Sequence, residues 1–394
     1  MQILKKSVTL FEIIIAYLSV LSIRSKRIYV FGAWGGNKFS DNPKYLYLEA
    51  LKDKDLTAIW ITRNKNIYKS LRARGYKVHL YNSLPGIYYQ LRASVYFTCM
   101  SKKDVLSLIM GKATRINLWH GVGLKKILND DKITVRKHQS RSNTGKRGLW
   151  SKIKTLPKRK AYLLSTSDKM TEIFANAFKK NKNEILQLGQ PRNDVFFNDE
   201  LEFDNFEFKD AARKIILYMP THRKEGKEPM FMDKLLDLNR LNKLCRENNV
   251  LFLIKKHYYH NHEVENLDAY TNVKDITQTE FDSQQLLKYA DILITDYSSC
   301  FVDFLILNRP VIFFNYDYDQ YILNDRDLYF DYDSTTPGEK VKNFGALFTA
   351  LANILNNGND AFAEQRKAVV NIFYSEDNQK QVGKKILDVV KQIT

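Results

Sequence analysis

The sequence predicts an α/β protein of two Rossmann-like domains, each a parallel sheet covered by helices, with both sheets facing a central cleft. Three observations predict it. Short apolar runs alternate with helical stretches along the whole chain, the pattern of strand–helix–strand units. At 394 residues the chain exceeds one ordinary core and suits two domains of about 150–200 residues. Its 44% hydrophobic and 13% aromatic content fills such cores and argues against disorder, while 27% charge argues against a multi-span membrane protein.

Taken in order, residues 1–26 form a first segment. Val8–Ile23 is nearly all apolar, flanked by Lys5, Lys6, Arg24, Lys26 and Arg27. As a helix it spans roughly 24 Å, short of the ~30 Å hydrocarbon core, so it predicts an interfacial or partly inserted, membrane-associated helix, with a core-packed helix of the first domain as the alternative. No small-residue cleavage site precedes the strand that follows. The first domain, 27–197, carries expected strands at Ile28–Phe31, Ala58–Thr62, Lys77–Leu80, Val95–Cys99, Ile116–Trp119 and Tyr162–Ser165, with helices at Lys44–Leu51 and Thr171–Lys179. The second, 198–375, carries strands at Ile215–Met219, Leu251–Lys255, Ile292–Thr295 and Val311–Phe314. Its helices are expected at Met232–Glu247, Gln284–Tyr289, Phe301–Leu307 and Ala361–Ile372. A last helix, within 376–394, is expected to pack back across the interface.

The net charge of +18 implies anionic partners. It is concentrated in Lys132–Lys160, which holds eleven Lys or Arg and no acid. One tryptophan there supplies no stacking platform, so the reading is an anionic-membrane or phosphate-acceptor docking surface rather than nucleic acid, with a solvated surface loop as the alternative. Cys99, Cys245 and Cys300 form no CxxC pair and no disulfide framework.

In open parallel sheets, ligands sit at the carboxyl ends of strands. Four polar clusters follow expected strands. His120, with Gly121 and Gly123 behind it, leaves room for close substrate approach, and a neutral imidazole accepts a hydroxyl proton. Thr221 and Arg223 follow Ile215–Met219, the arginine offering a planar fork to phosphate. Lys256 and His257 end the run Leu251–Lys255. His260 and His262 follow, but only Glu263 stands nearby as an acidic ligand, so a zinc site is discounted. Asp296-Tyr-Ser298-Ser299 passes from strand to helix, where hydroxyls and free N–H groups suit a diphosphate. No P-loop and no GxGxxG stands at a strand–helix junction, which removes the NTPase and dinucleotide readings.

Together these motifs resemble the CDP-glycerol glycerophosphotransferase family, which builds teichoic acids and related capsular polymers. The likeness runs from Phe39-Ser-Asp41-Asn42-Pro, through Trp119-His120-Gly121 with Lys125-Lys126, to Gly189-Gln-Pro-Arg192-Asn-Asp194. It continues in Met219-Pro-Thr221-His-Arg223, Lys255-Lys256-His257, Thr295-Asp296-Tyr-Ser298-Ser299 with Asp303, Arg309-Pro310, Tyr316-Asp317 and Phe330-Asp331-Tyr332. The chain departs from the family at Val122-Gly123 and Tyr258, where prolines are common.

The resemblance implies a GT-B-like architecture and a monotopic enzyme on the cytoplasmic face of the membrane. It would take CDP-glycerol or another CDP-polyol, use a lipid-linked or polymer acceptor, and release CMP. His120 and His257 would be catalytic. Arg223, Lys256, Ser298, Ser299, Thr221 and Asp296 would hold the donor. Gly121, Lys125, Arg192, Asp194 and Asp303 would position the acceptor or the loops. No protein metal site is expected, and a Mg2+ carried by the diphosphate stays open. Two other readings remain at this stage. One is a sugar-nucleotide glycosyltransferase or epimerase using Asp317 or Asp319 on a ribose; the other is a basic membrane- or RNA-binding module without catalysis.

Overall fold

The computed structural model describes residues 15–132, 134–135, 159–199, 206, 208, 213–223, 232–256, 267–279, 281–324 and 327–394. The chain forms two compact units. Unit 1 comprises Met1–His120, Thr134–Phe197 and Ser375–Thr394; unit 2 comprises Gly121–Ile133 and Asn198–Tyr374. The chain thus enters unit 2 immediately after His120, an exchange that the sequence pattern does not signal.

Unit 1 holds a seven-stranded sheet of β1 (Ser25–Phe31), β2 (Thr57–Thr62), β3 (Val78–Leu80), β4 (Ala93–Thr98), β5 (Thr114–Asn117), β6 (Ala161–Ser165) and β7 (Ile185–Gln187). The order is β3-β2-β1-β4-β5-β6-β7, with every pairing parallel. Both faces of the central strands are covered. Tyr29, Phe31, Trp60 and Phe97 enter one core, while Val30, Ile59, Ile61 and Tyr96 enter the other. Burial on two sides is why these strands read as continuous apolar runs. The first core is closed by the last helix, Val382–Ile393, through Val382, Ile386 and Val390 at four-residue spacing. Each such burial contributes about 1.5–3 kcal/mol.

Unit 2 holds β8 (Lys214–Tyr218), β9 (Val250–Ile254), β10 (Val273–Asp275), β11 (Ile292–Thr295), β12 (Val311–Phe314) and β13 (Glu339–Val341). The order is β10-β9-β8-β11-β12-β13, again parallel throughout. In each sheet the strand order reverses once, between β1 and β4 and between β8 and β11. These are the switch points where crevices open in such sheets.

Among the described residues, no helix is long and apolar enough to cross a membrane. Residues 15–20 are helical, with Ala16 and Ser19 buried and Leu18, Leu21 and Ile23 exposed beside them. The remainder of the expected membrane helix, and most of Lys132–Lys160, lie outside the described residues. The expected helix Met232–Glu247 is two, Met232–Leu235 and Leu238–Glu247, because Asp237 caps the second by accepting from the Arg240 N–H.

Candidate active site

In unit 1 the site is built at the tip of β5. Trp119 takes a left-handed backbone conformation (φ 57°), strained for an aromatic residue. Asn42 maintains it by donating from Nδ2 to the carbonyls of Leu118 (3.2 Å) and Trp119 (3.0 Å). The Trp119 N–H donates to Asn117 Oδ1. The bend turns His120 off the strand and over the β1/β4 switch point. There its Nδ1 lies 3.4 Å from the carbonyl of Cys99, just past β4, and its ring packs against Trp34, just past β1. Trp119 covers the imidazole, with ring centroids 4.0 Å apart. Burial lowers the His120 pKa below the ordinary imidazole value; Asp41 opposes the shift without cancelling it.

Arg192 secures this bend. Its Nη1 donates to the His120 carbonyl (3.0 Å) and to Asp41 (2.9 Å), and its backbone N–H donates to Asn42 Oδ1. Asp41 itself is left-handed (φ 64°), so two strained residues bracket the histidine. Asp194 stands apart, accepting from the N–H groups of Val382 and Gly383 at the start of the last helix. Sequence reasoning missed Asp104. Its Oδ2 accepts from the N–H groups of Cys99, Met100 and Ser101, and its Oδ1 from Gly35, which shapes the floor beneath His120. Lys102–Asp104 is only a 3-10 turn, which carries no periodic signal.

In unit 2 the polar residues gather at the β8/β11 switch point, and most turn inward. Asp296 is fully buried. Its Oδ1 accepts from the N–H groups of Thr221 (2.9 Å) and Tyr297 (2.6 Å), and its Oδ2 from Arg223 Nη2 (2.9 Å). Arg223 also donates to both oxygens of Asp317 and to the Thr221 carbonyl. Its guanidinium lies among the rings of Tyr297, Tyr316 and Tyr321. Burial alone would lower its pKa, and the two carboxylates more than reverse this.

Arg223 and Asp296, both expected at the donor phosphate, are thus paired with one another in the fold, because buried charges satisfy one another first. Asp317 is drawn into the same network, through Arg223 and the Tyr297 hydroxyl. Lys256, also expected at the donor, pairs its buried ammonium with Asp275 at 2.8 Å. Asp303 accepts from Tyr374 and Gln284 and orients the helix behind the loop.

The remaining polar groups are fewer. Ser298 Oγ accepts from the Cys300 N–H, so it is the capping serine. Ser299 begins the short helix Cys300–Phe304 with no hydrogen bond from its hydroxyl to the helix. Thr221 Oγ1 is buried without a hydrogen-bond partner. Gly123 comes within contact range of Ser299, where a Cβ on the glycine would meet that of the serine at 3.8 Å. Lys125 sits over the Tyr321 ring, which stacks on Tyr297 at 3.9 Å. The backbone of this segment is pinned by hydrogen bonds linking Leu124 to Tyr329 and Lys126 to Asp327. His257 lies outside the described residues. Among those described, no three His, Cys, Asp or Glu gather in reach of one metal ion.

The chain matches the CDP-glycerol:poly(glycerophosphate) glycerophosphotransferase family over residues 14–392. It belongs to that family. The teichoic acid poly(glycerol phosphate) polymerase of Bacillus spizizenii is 29% identical over 90% of this chain and 90% of its own. The teichoic acid glycerol-phosphate transferase of Staphylococcus aureus is 30% identical over 90% and 91%. Among solved structures, the wall teichoic acid polymerase TagF (H548A) superposes with a TM-score of 0.74 at 26% identity, covering 99% of this chain and 95% of that one. This member of the family is a glycerophosphotransferase of the teichoic-acid type.

Proposed function

We propose that unit 2 holds CDP-glycerol and that His120 of unit 1 activates the acceptor hydroxyl, at the cytoplasmic face of the membrane. The observation that carries this is the state of His120. Its Nδ1–H is directed at the Cys99 carbonyl, which leaves Nε2 as the basic nitrogen, and burial keeps the ring neutral near pH 7. Nε2 takes the proton of the acceptor hydroxyl while that oxygen attacks the phosphorus bearing the glycerol. The bond from this phosphorus to the bridging oxygen breaks, and CMP leaves with the electron pair. Little covalent chemistry falls to the protein, so positioning and charge stabilisation dominate.

The hydroxyls of Ser299 and Thr221 and the ammonium of Lys125 are the groups proposed to meet the donor phosphates, with His257 joining them. Arg223, Asp296 and Asp317 shape the loops that present these groups. Any Mg2+ in the reaction travels with the diphosphate. The test supplies CDP-glycerol, CDP-ribitol and UDP-sugars with a lipid-linked acceptor and measures CMP against UDP release. CMP release from CDP-glycerol is expected, abolished in a folded His120→Ala variant. Wild-type rates in that variant would remove His120 from the chemistry.

A further inference from the structure

Four cations of unit 1 lie on the face of the sheet opposite the last helix, and the proposed chemistry uses none of them. Tyr96 of β4 sits at their centre. Arg159 approaches its hydroxyl at 3.5 Å through Nη1, which also donates to the Ser107 carbonyl at 2.9 Å. Arg115, on the neighbouring β5, donates from Nε to Thr98 Oγ1 at 3.3 Å. Arg24 donates only to backbone carbonyls, those of Ser19, Gln90, Ala93 and Ile109, and its Nε is buried with no partner. Lys102 is exposed at the rim.

The four are close enough to disturb one another. The Arg24 pKa is pushed down to about 10, by burial first and then by Arg159. Burial likewise lowers Arg115 and Lys102, with Arg159 contributing to both. None of the four is ion-paired with a carboxylate among the described residues. Asp104, whose charge reaches Arg115, has its oxygens occupied by four backbone N–H groups. Gathering like charges against neutral acceptors is unfavourable unless an anion joins them.

The surroundings say which anion. Arg24 directly follows the exposed Leu18, Leu21 and Ile23, and ahead of them the sequence continues apolar through Val8, Leu10, Phe11, Ile13 and Ile14. Arg159 is where the basic stretch Lys132–Lys160 re-enters the described fold. Arg24 and Arg159, far apart in sequence, thus stand close enough to act on one another. A free anion needs no apolar shelf beside it, whereas an amphiphile does.

We propose that Arg24, Lys102, Arg115 and Arg159 form a site for the phosphate group of a membrane lipid, whose acyl chains lie along Leu18, Leu21 and Ile23. This rests on the reading that the acceptor is membrane-bound, and gives that reading a defined contact. The guanidinium forks supply paired donors to the phosphate oxygens.

The experiment measures full-length protein binding to phosphatidylglycerol/phosphatidylcholine vesicles, to pure phosphatidylcholine vesicles and to inorganic phosphate. Alongside, it measures CDP affinity and CMP release from CDP-glycerol. Binding to the anionic vesicles is expected, with a loss of roughly fivefold for each cation removed, so about 25-fold in Arg115→Gln/Arg159→Gln. CDP affinity should be unchanged. Exposed Lys102→Gln carries no folding risk and should lose roughly fivefold by itself. Leu21→Ser/Ile23→Ser should weaken vesicle binding without affecting inorganic phosphate. Unchanged vesicle affinity in the Lys102 and double-arginine variants overturns the proposal. Displacement of the protein from vesicles by millimolar inorganic phosphate, with the Leu21/Ile23 variant binding normally, overturns the lipid assignment. A wild-type protein that binds anionic vesicles yet releases no CMP leaves this site standing and sinks the transferase reading instead.

Discussion

Arg192 donates a 3.0 Å hydrogen bond from Nη1 to the backbone carbonyl of His120, and the same nitrogen holds Asp41 at 2.9 Å. The guanidinium is therefore bonded to the main chain of the proposed base rather than to its ring. It fixes where the imidazole points without altering which nitrogen is basic. Arg192→Lys keeps the charge and loses the fork, and the expected result is kcat down by roughly 10- to 100-fold from misplacement alone. KM for CDP-glycerol should hold within about twofold, because Arg192 bonds Asp41, Asn42 and the His120 carbonyl, none of them a group proposed to meet the donor. Steady-state kinetics at saturating acceptor check this; equal damage to kcat and donor KM would contradict it.

The pH profile follows from burial of His120. Its pKa lies below the ordinary imidazole value, so the neutral, proton-accepting form dominates at pH 7 and persists on mild acidification. The acid limb of kcat/KM should accordingly fall below about 6.5, dropping tenfold per pH unit beneath it. An acid limb at or above that value would show the imidazole to be stabilised as a cation, the reverse of what its surroundings imply.

The central strands were legible in the sequence because both their faces are buried, leaving unbroken runs such as Ile28–Phe31 and Ile292–Thr295. The three strands that went unseen, Ile185–Gln187, Val273–Asp275 and Glu339–Val341, are each three residues long and lie at sheet edges. Edge strands pack on fewer neighbours and need no apolar run. His120 stood out because its signal is local, a histidine leaving a strand ahead of glycines. The partners of Arg223 did not: Asp317 is 94 residues away, and no spacing rule links a turn after β8 to one after β12. Long-range pairing is also why Arg223 and Lys256 read as free cations in sequence and are neutralised in the fold.

Asp194 makes the docking of the last helix pH-dependent. Burial raises its pKa from the ordinary carboxylate value to about 6, against the pull of the Val382 and Gly383 N–H groups. The folded state therefore holds a proton that the unfolded chain has released between about pH 4 and pH 6. Its contribution to stability falls as pH rises through that window, by up to about 3 kcal/mol. Asp194→Asn removes this titration and also one of two acceptors. The thermal midpoint of wild type should rise relative to Asp194→Asn as pH is lowered from 7 to 5. Parallel midpoints across that range would refute the assignment.

Arg223 and Lys125 carry the same charge in the same unit, and the fold assigns them different work. Arg223 is already paired with two carboxylates, Asp296 and Asp317. Removing it strands Asp296 and Asp317 in a buried site, and Arg223→Met should cost about 3–5 kcal/mol of stability, seen as a lower midpoint in thermal or denaturant unfolding. Lys125 lies on the outer face of the Tyr321–Tyr297 stack that leads into Ser298 and Ser299. Lys125→Met leaves the pairing of Arg223 with Asp296 and Asp317 in place, so stability should change less than in Arg223→Met. Its effect should fall on ligand charge instead: affinity for CDP drops about tenfold, while affinity for cytidine is unaltered. Calorimetric titration of both ligands into both variants separates the two roles. A Lys125→Met protein that loses CDP and cytidine equally would place that lysine outside the phosphate contacts, leaving the serine and threonine hydroxyls and His257 to meet the charge.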